Sequence, residues 1–397
     1  MAIYEGLPRA IPEDVGMSTS RLGRIAPVMQ GYVDNGKIPC ALTMIAREGK
    51  LVHFEKCGMQ DIAAATPVEF DTIFRLYSMT KPITSVAVMM LYEEGHFQLT
   101  TPVSEFVPAF KDMKVYTEDG SAIVDAEREV TIKHLLTHTA GLIYESGRED
   151  HPIDQQYEEA DLYGGDLANM IQKLGSIPLF HHPGDAWKYG MSTDVLGYLV
   201  GIVSGMPFET FLKTRIFEPL GMNDTGFSVP VKNADRYSKV YEFGEDGELQ
   251  AIEKVHAATG PLTFFHSGGG GLQSTAPDYL RFCQMVLNGG ELDGVRLLGR
   301  KTVELITMDH ISNSWQPNQR TGSGFGLGFA VVTDVAETHT LGSVGTCGWG
   351  GMASTTFWID PVEALIGVFM TQLVGADSPF HAQFRVLTYQ ALSRKPL

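Results

Sequence analysis

The chain has 397 residues, 44% of them hydrophobic and 19% charged, which is the composition of a globular protein long enough for two domains. Its 30 basic and 47 acidic side chains give a formal net charge of −17, which argues against nucleic acid or an anionic membrane surface as a partner. The four cysteines are scattered, so they predict neither a disulfide framework nor a zinc ribbon.

The first predicted elements are a helix, a hairpin and a second helix. Residues 18–35 carry apolar side chains at helical spacing, with Ser18 or Ser20 as the N-cap. Apolar runs over 41–47 and 51–55, separated by the turn 48–50, predict a β-hairpin. A long helix follows Ser78, since Pro82 is tolerated in a first turn and Gly95 is a common stop signal.

The remaining elements are mainly helical in the middle of the chain and extended near its end. Helical patterns cover residues 131–137, 167–174, 193–203 and 209–217. Strand patterns follow at 328–333, 354–359 and 365–370, and a helix is predicted over 380–392. The order predicts an α+β fold whose antiparallel sheet is formed from both chain ends and flanked by helices. We expect an α/β domain of residues 1–95 and 262–397 and a mainly helical inserted domain of residues 96–261.

The N-terminal residues and the longest apolar runs bear on localisation. Residues 1–8 lack the basic and apolar regions of a signal peptide. No apolar run approaches the ~20 residues that span a bilayer. We therefore expect a cytoplasmic protein without a membrane partner, and the sequence leaves open whether it forms a homodimer.

Ser78 and Lys81 are the first candidate catalytic pair. Residues three apart on a helix share a face, so the amine can reach the proton of the hydroxyl. The same spacing also fits an N-cap serine followed by a solvated lysine, and chance supplies about one such match in a chain of this composition. A lysine in a first turn opposes the helix dipole, and no serine here lies in the Gly-x-Ser-x-Gly elbow of another hydrolase class.

Three further stretches bear on the chemistry. Tyr189 comes shortly before a predicted helix, and a phenol near a lysine can act as a base, although a core tyrosine is the commoner meaning. The glycine-rich residues 345–352 can bring backbone N–H groups close to an oxyanion, or simply form a β-turn. His134 and His138 have the spacing of two zinc ligands but lack the accompanying glutamate, so we expect no metal site.

The segment 74–83 around Ser78 resembles the nucleophile segment of the serine β-lactamase and penicillin-binding-protein superfamily. It is most similar to the class C-like branch that includes the family VIII carboxylesterases. Supporting stretches follow in the family's order at residues 135–142, 183–184, 216–222, 268–276 and 326–329. The resemblance implies that Ser78 is the acylated nucleophile, that Lys81 is its partner and that Tyr189 is the companion base.

The chain departs from the family's pattern at two positions. Met191 stands where the family's Tyr-x-Asn motif has its asparagine, and Trp349 stands where the Lys-Thr-Gly motif has its lysine. The missing amide and ammonium are the groups that would bind a β-lactam, and a site without buried polar partners should not select such a substrate. The Trp-Gly-Gly sequence that replaces the lysine motif looks like the esterase branch.

The resemblance also implies which backbone groups would bind the oxyanion. By position they are the N–H groups of Ser78 and Met352, with a register that could slip by one residue after Gly351. Together with Trp349 and Gly350, these residues are expected to line the substrate site.

We therefore expect a serine carboxylesterase that acts on short- to medium-chain esters through a Ser78 acyl-enzyme. Lys81 and Tyr189 would be its general base, and no metal or organic cofactor is implied. Three alternatives remain: a β-lactamase or D-Ala-D-Ala peptidase, an acyltransferase of the same fold, and a non-enzymatic binding module.

Overall fold

The computed structural model describes residues 6–149, 151–252, 265–311, 322–377 and 379–396. The strands are β1 (Cys40–Arg47), β2 (Lys50–Asp61), β3 (Thr66–Pro67), β4 (Phe74–Arg75), β5 (Lys114–Tyr116), β6 (Ile123–Asp125), β7 (Tyr241–Phe243), β8 (Leu249–Ala251), β9 (Gln273–Ser274), β10 (Glu291–Leu292), β11 (Val295–Arg296), β12 (Ser323–Phe325), β13 (Ala330–Val332), β14 (Cys347–Gly350), β15 (Thr356–Asp360) and β16 (Leu365–Met370). The α-helices are α1 (Thr19–Leu22), α2 (Ile25–Asp34), α3 (Thr80–Glu93), α4 (Ile132–Leu136), α5 (Pro152–Glu159), α6 (Leu167–Leu174), α7 (Ser192–Ser204), α8 (Phe208–Leu212), α9 (Glu218–Leu220), α10 (Ala276–Leu287), α11 (Arg300–Ile306) and α12 (Pro379–Tyr389).

An eight-stranded antiparallel sheet joins the two ends of the chain, in the order β12-β13-β14-β15-β16-β1-β2-β3. The N-terminal hairpin meets the C-terminal strands where β1 pairs with β16, with Leu42 opposite Met370 and Arg47 opposite Leu365. Every residue of β1 is buried, because both faces of the sheet are covered there. The predicted α+β fold, with an antiparallel sheet built from both chain ends, is confirmed.

Two separate groups of helices cover the two faces of the sheet. Phe357 and Val368 point into the core that contains α3 and α10, whereas Trp358 and Phe369 point into the core that contains α2 and α12. This alternation follows from the period of two along a strand. Both layers are apolar, so the sheet is held between them by hydrophobic burial.

The helices from the middle of the chain lie beside this sheet, and α7 packs along α3. That contact brings the residues before α7 next to the residues before α3, which positions the site described below. The same region holds two short hairpins, β5–β6 and β7–β8, that the sequence patterns did not predict. In β6 all three residues are exposed, so no apolar alternation marks the strand.

Several predicted boundaries shift for local reasons. The helix predicted over 18–35 is two helices: Ser18 caps α1, and the chain restarts at Ile25 because Pro27 has no N–H and is tolerated only in a first turn. The strand predicted from Ser354 begins two residues later, since Ser354 lies in a turn with φ +61°. The proposed domain boundary at 95/96 stays a prediction, and the boundary at 261/262 lies outside the described residues.

Within the described ranges no single helix is long and apolar enough to cross a membrane. One pair of helices, Ser192–Ser204 and Phe208–Leu220, meets that criterion only when taken together, and it is bent by 82°.

Candidate functional site

Ser78 lies in a single 3₁₀ turn, Tyr77–Met79, that leads directly into α3. The segment before it is held on both sides. The side-chain amide of Gln372 accepts from the Arg75 N–H at 3.1 Å and donates to the Arg75 carbonyl at 3.0 Å. The N–H of Leu76 donates to the carbonyl of Leu272 at 2.9 Å. The serine is therefore fixed by backbone contacts rather than carried on a free loop.

Lys81 is buried in the first turn of α3, with only 1% of its surface exposed. Its Nζ donates to Ser78 Oγ at 3.3 Å, to the Tyr144 hydroxyl at 3.0 Å and to the Gly269 carbonyl at 2.8 Å. An ammonium group has three N–H donors and no acceptor, so the three oxygens match its charged form. The solvated lysine considered from the sequence is excluded by this burial.

Tyr189 approaches the same serine from the segment before α7. Its hydroxyl donates to Ser78 Oγ at 2.7 Å, and Lys81 Nζ lies 4.6 Å from the centre of its ring. The following residue, Gly190, packs against backbone: a Cβ there would lie 2.3 Å from the Leu142 carbonyl oxygen. The structure thus brings together the three residues that were predicted to form the catalytic group.

The protonation states of this cluster follow from its burial and its neighbours. Burial disfavours the charge of Lys81, but Tyr144, Tyr189 and Asp194 outweigh that cost and raise the pKa of Lys81 above its ordinary value. Burial likewise raises the pKa of the Tyr144 phenol. At neutral pH the resting site therefore holds an ammonium at Lys81 and a neutral phenol at Tyr144.

Tyr144 and Asp194 are two members of the cluster that the sequence analysis missed. Tyr144 lies in the loop between α4 and α5, and nothing local distinguishes it from the other 13 tyrosines of the chain. Asp194 is 2% exposed and accepts from the Ser267 hydroxyl at 2.5 Å and from the Gly269 N–H at 3.1 Å. An aspartate among the apolar residues of α7 was the one available signal, because a carboxylate there must be buried with partners.

Trp349 and the glycines after it form the opposite wall of the site. Trp349 Nε1 donates to the Tyr189 hydroxyl at 3.4 Å, and the two rings lie 5.3 Å apart. Gly350 ends β14. A Cβ on Gly351 would lie 2.4 Å from the Leu76 carbonyl oxygen, so only glycine lets this strand end approach the serine segment so closely.

The backbone after Gly351 decides which N–H groups are free for an oxyanion. The N–H of Gly351 donates to the Thr355 carbonyl at 2.8 Å, so it is engaged. The N–H of Ser354 donates back to the Gly351 carbonyl at 3.0 Å and closes a turn in which Met352 is the second residue. That turn makes no use of the Met352 N–H. Its assignment as an oxyanion donor stays a prediction.

Met191, which stands where the family's Tyr-x-Asn motif has its asparagine, is directed away from the cleft. Its side chain is 4% exposed and packs in the main core, and it is absent from the described residues that line the cleft at Ser78. The polar group beside Lys81 at this point is instead the Tyr144 hydroxyl.

The described residues leave a cleft of about 1230 Å³ beside Ser78. Aromatic side chains are among the residues that line it, including Tyr144, Tyr163, Tyr189, Phe265 and Trp349. His134 caps α4 together with Thr131, and His138 is buried 4.9 Å from the Tyr189 ring. In the part of the chain that the structure describes, no group of three or more His, Cys, Asp or Glu side chains could hold a metal ion.

Comparison with known proteins shows which family and which fold this chain is similar to. Residues 25–390 match the family model described as "Beta-lactamase". Protein Rv1367c of Mycobacterium tuberculosis is 35% identical over 85% of this chain and 87% of its own length. Esterase EstB of Burkholderia gladioli is 29% identical over 94% of this chain and 96% of its own. Among solved structures, "EstCE1, a hydrolase with promiscuous acyltransferase activity" is 26% identical, covers 93% of this chain and 99% of its own, and superposes with a TM-score of 0.81.

Proposed function

The chain belongs to the β-lactamase family, as a serine hydrolase of its family VIII esterase branch, and we propose that it hydrolyses carboxylic esters through an acyl-enzyme on Ser78. The observation that carries this proposal is the pair of hydrogen bonds to Ser78 Oγ, 2.7 Å from the Tyr189 hydroxyl and 3.3 Å from Lys81 Nζ, on the wall of an aromatic cleft.

Tyr189 and Lys81 act as one base. In the resting state the Lys81 ammonium and the Tyr189 hydroxyl both donate to Ser78 Oγ. When the pair loses one proton, the phenolate beside the ammonium can accept the serine proton across the same 2.7 Å contact. The proton then passes from Tyr189 to the oxygen of the leaving alcohol. In deacylation the same phenolate accepts a proton from water, the water oxygen attacks the acyl carbon, and the proton returns to Ser78 Oγ. The apparent pKa that controls the rate belongs to the pair.

The oxyanion of the tetrahedral intermediate is proposed to bind the N–H groups of Ser78 and Met352. The support is the close packing of Gly351 on the Leu76 carbonyl, which holds the two segments together, and the turn that leaves the Met352 N–H unused. Two preorganised donors of this kind contribute several kcal/mol to the transition state.

The proposed substrates are short- to medium-chain acyl esters rather than β-lactams. Trp349 contributes an indole where an ammonium would be needed for a β-lactam carboxylate, and further aromatic side chains, among them Tyr163 and Phe265, line the cleft. An apolar acyl chain gains by burial against these rings.

The test is acylation of Ser78 itself. Wild-type protein should hydrolyse p-nitrophenyl butyrate and gain the mass of one fluorophosphonate group, located on Ser78 by peptide mass spectrometry. Ser78→Ala should do neither. Hydrolysis by Ser78→Ala at the wild-type rate would rule the proposal out. A p-nitrophenyl ester series from two to twelve acyl carbons would locate the chain-length optimum.

Transfer of the acyl group to an alcohol is a second candidate activity, because EstCE1 is described as a hydrolase with promiscuous acyltransferase activity. An aromatic cleft that excludes water from the acyl-enzyme would favour it. Adding 1-butanol to the butyrate assay should divert part of the product to butyl butyrate, whereas a strict hydrolase releases only butyric acid.

A further inference from the structure

Among the described residues, the buried charge of Lys81 has no hydrogen-bond partner of opposite sign. All three of its hydrogen bonds go to neutral oxygens, those of Ser78, Tyr144 and the Gly269 carbonyl. A buried ammonium is costly unless an opposite charge compensates it. An anion that compensates the charge of Lys81 must therefore act without a direct hydrogen bond to its ammonium group.

The backbone of Gly269 connects Lys81 to an anion of this kind, Asp194. Its carbonyl accepts from Lys81 Nζ at 2.8 Å, and its N–H donates to Asp194 Oδ1 at 3.1 Å. Glycine is required at this position, because a Cβ would lie 2.5 Å from Asp194 Oδ2 and 3.2 Å from the Tyr144 hydroxyl. Two buried ionisable side chains are thus joined through a single residue.

We propose that Asp194 is a positioning residue whose carboxylate supplies the buried counter-charge of Lys81, and its effect on catalysis rests on the function proposed above. The groups that face Asp194 are Lys81 from α3, Tyr144 and Tyr163 on either side of α5, and Ser267 with the Gly269 N–H from the segment before β9. Lys81 is the one cation in this set.

The surroundings of Asp194 act on its charge in opposite directions. Burial raises the pKa of the carboxyl above its ordinary value, and Lys81, the Ser267 hydroxyl and the Gly269 N–H oppose part of this rise by favouring the carboxylate. Both hydrogen bonds to Oδ1 come from donors, so a carboxylate has partners for its charge at this oxygen. The carboxylate and the ammonium therefore stabilise each other's charged forms.

A double-mutant cycle tests the charge pair without using activity. Lys81→Met leaves Asp194 as a lone buried charge, Asp194→Asn leaves Lys81 as one, and the double variant leaves neither. We expect the urea midpoint of the double variant to lie above that of at least one single variant, since removing both charges removes the uncompensated one. Asp278→Asn is the matched control, because this carboxyl is also buried on a helix but bonds to the Asp224 N–H and the Thr225 hydroxyl.

In the control cycle, Lys81→Met is combined with Asp278→Asn, and the losses in stability of the two single variants should add. If the losses of Lys81→Met and Asp194→Asn also add in their double variant, the proposal is overturned. If Asp194→Asn alone does not fold, folding of the double variant still supports the pair, and failure of both variants to fold contradicts it.

The pH dependence of Ser78 labelling tests the consequence for the base. We expect Asp194→Asn to move the midpoint of fluorophosphonate labelling to lower pH by at least about one unit, because losing the anion makes the Lys81–Tyr189 pair give up its proton more easily. Asp278→Asn should leave the midpoint in place. An unchanged midpoint in Asp194→Asn would show a merely structural role. Absence of labelling in the wild type would instead contradict the proposed function, while the stability cycle would stand.

Discussion

The Tyr189 hydroxyl lies 2.7 Å from Ser78 Oγ, whereas Lys81 Nζ lies 3.3 Å from the same oxygen. Lys81 Nζ also donates hydrogen bonds to two other oxygens, and Trp349 Nε1 donates to the Tyr189 hydroxyl oxygen at 3.4 Å. A donor that points at a phenol oxygen stabilises its phenolate form. The geometry therefore favours Tyr189 as the group that exchanges a proton with the serine and Lys81 as the cation that supports it.

Removing the Tyr189 hydroxyl should remove most of the activity. We expect Tyr189→Phe to lower kcat/KM for p-nitrophenyl butyrate by about 10²–10⁴-fold, the usual contribution of a positioned base. Steady-state kinetics measures this directly. Tyr92→Phe, at the far end of α3, is the control and should change kcat/KM by less than about twofold. A loss below about tenfold in Tyr189→Phe would assign the proton transfer to Lys81 alone.

Much of this site could be predicted because its residues are either close together in the sequence or belong to motifs that follow the family's order along the chain. The Ser78–Lys81 spacing depends on one helix turn, and the role of Tyr189 was predicted from its place in the order of the family's motifs. Asp194 and the carbonyl of Gly269 could not be predicted in the same way. They meet Lys81 only through the packing of α7 on α3 and the approach of the segment before β9, contacts that link residues up to 188 positions apart.

The fold shows the same division. The apolar runs of β1 and β16 are strong signals because every residue of both strands is buried. The hairpin β5–β6 was missed since its strands have three residues each and one of them is fully exposed. Pro27 and Ser354 moved two boundaries through backbone restrictions that a hydrophobic pattern does not record.

Gly351→Ala should separate the wall of the site from the serine segment. The new Cβ would lie 2.3 Å from Thr355 Oγ1 and 2.4 Å from the Leu76 carbonyl oxygen, and the latter is backbone that cannot rotate away. We expect the free energy of unfolding to fall by about 1–3 kcal/mol, as for other overpacked sites. We also expect kcat to fall at least tenfold, because the proposed oxyanion donors would move apart.

Gly350→Ala provides the comparison for this experiment. Its Cβ would meet the Thr355 carbonyl oxygen at 3.1 Å and nothing nearer, so the strain should be smaller. Urea denaturation and kcat are measured for both variants, and Gly351→Ala should show the larger loss in each. Equal losses in the two would contradict a special role for the Gly351–Leu76 contact.

The substrate preference gives a further prediction. Because Trp349 brings no positive charge and Met191 is turned into the core, we expect kcat/KM for nitrocefin to be lower than for p-nitrophenyl butyrate. Paired assays on one enzyme preparation measure the ratio, and Ser78→Ala corrects for background hydrolysis. A ratio in favour of nitrocefin would reverse the choice between esterase and β-lactamase.

A buried histidine away from the site predicts how stability depends on pH. His53 is 7% exposed, its Nε2 lies 2.8 Å from Thr43 Oγ1, and burial together with Arg9 lowers its pKa from 6.5 to about 4. The unfolded chain therefore binds this proton first as the pH falls. The stability due to neutral His53 is complete above about pH 6.5 and is lost progressively towards about pH 4, with a loss of about 2 kcal/mol at pH 5.

Urea denaturation at pH 7 and pH 5 measures this loss of stability. The His53→Gln variant should lose about 2 kcal/mol less than the wild type between these two conditions. An equal loss between pH 7 and pH 5 in His53→Gln and in the wild type would mean that the His53 imidazole is not held neutral in the folded state.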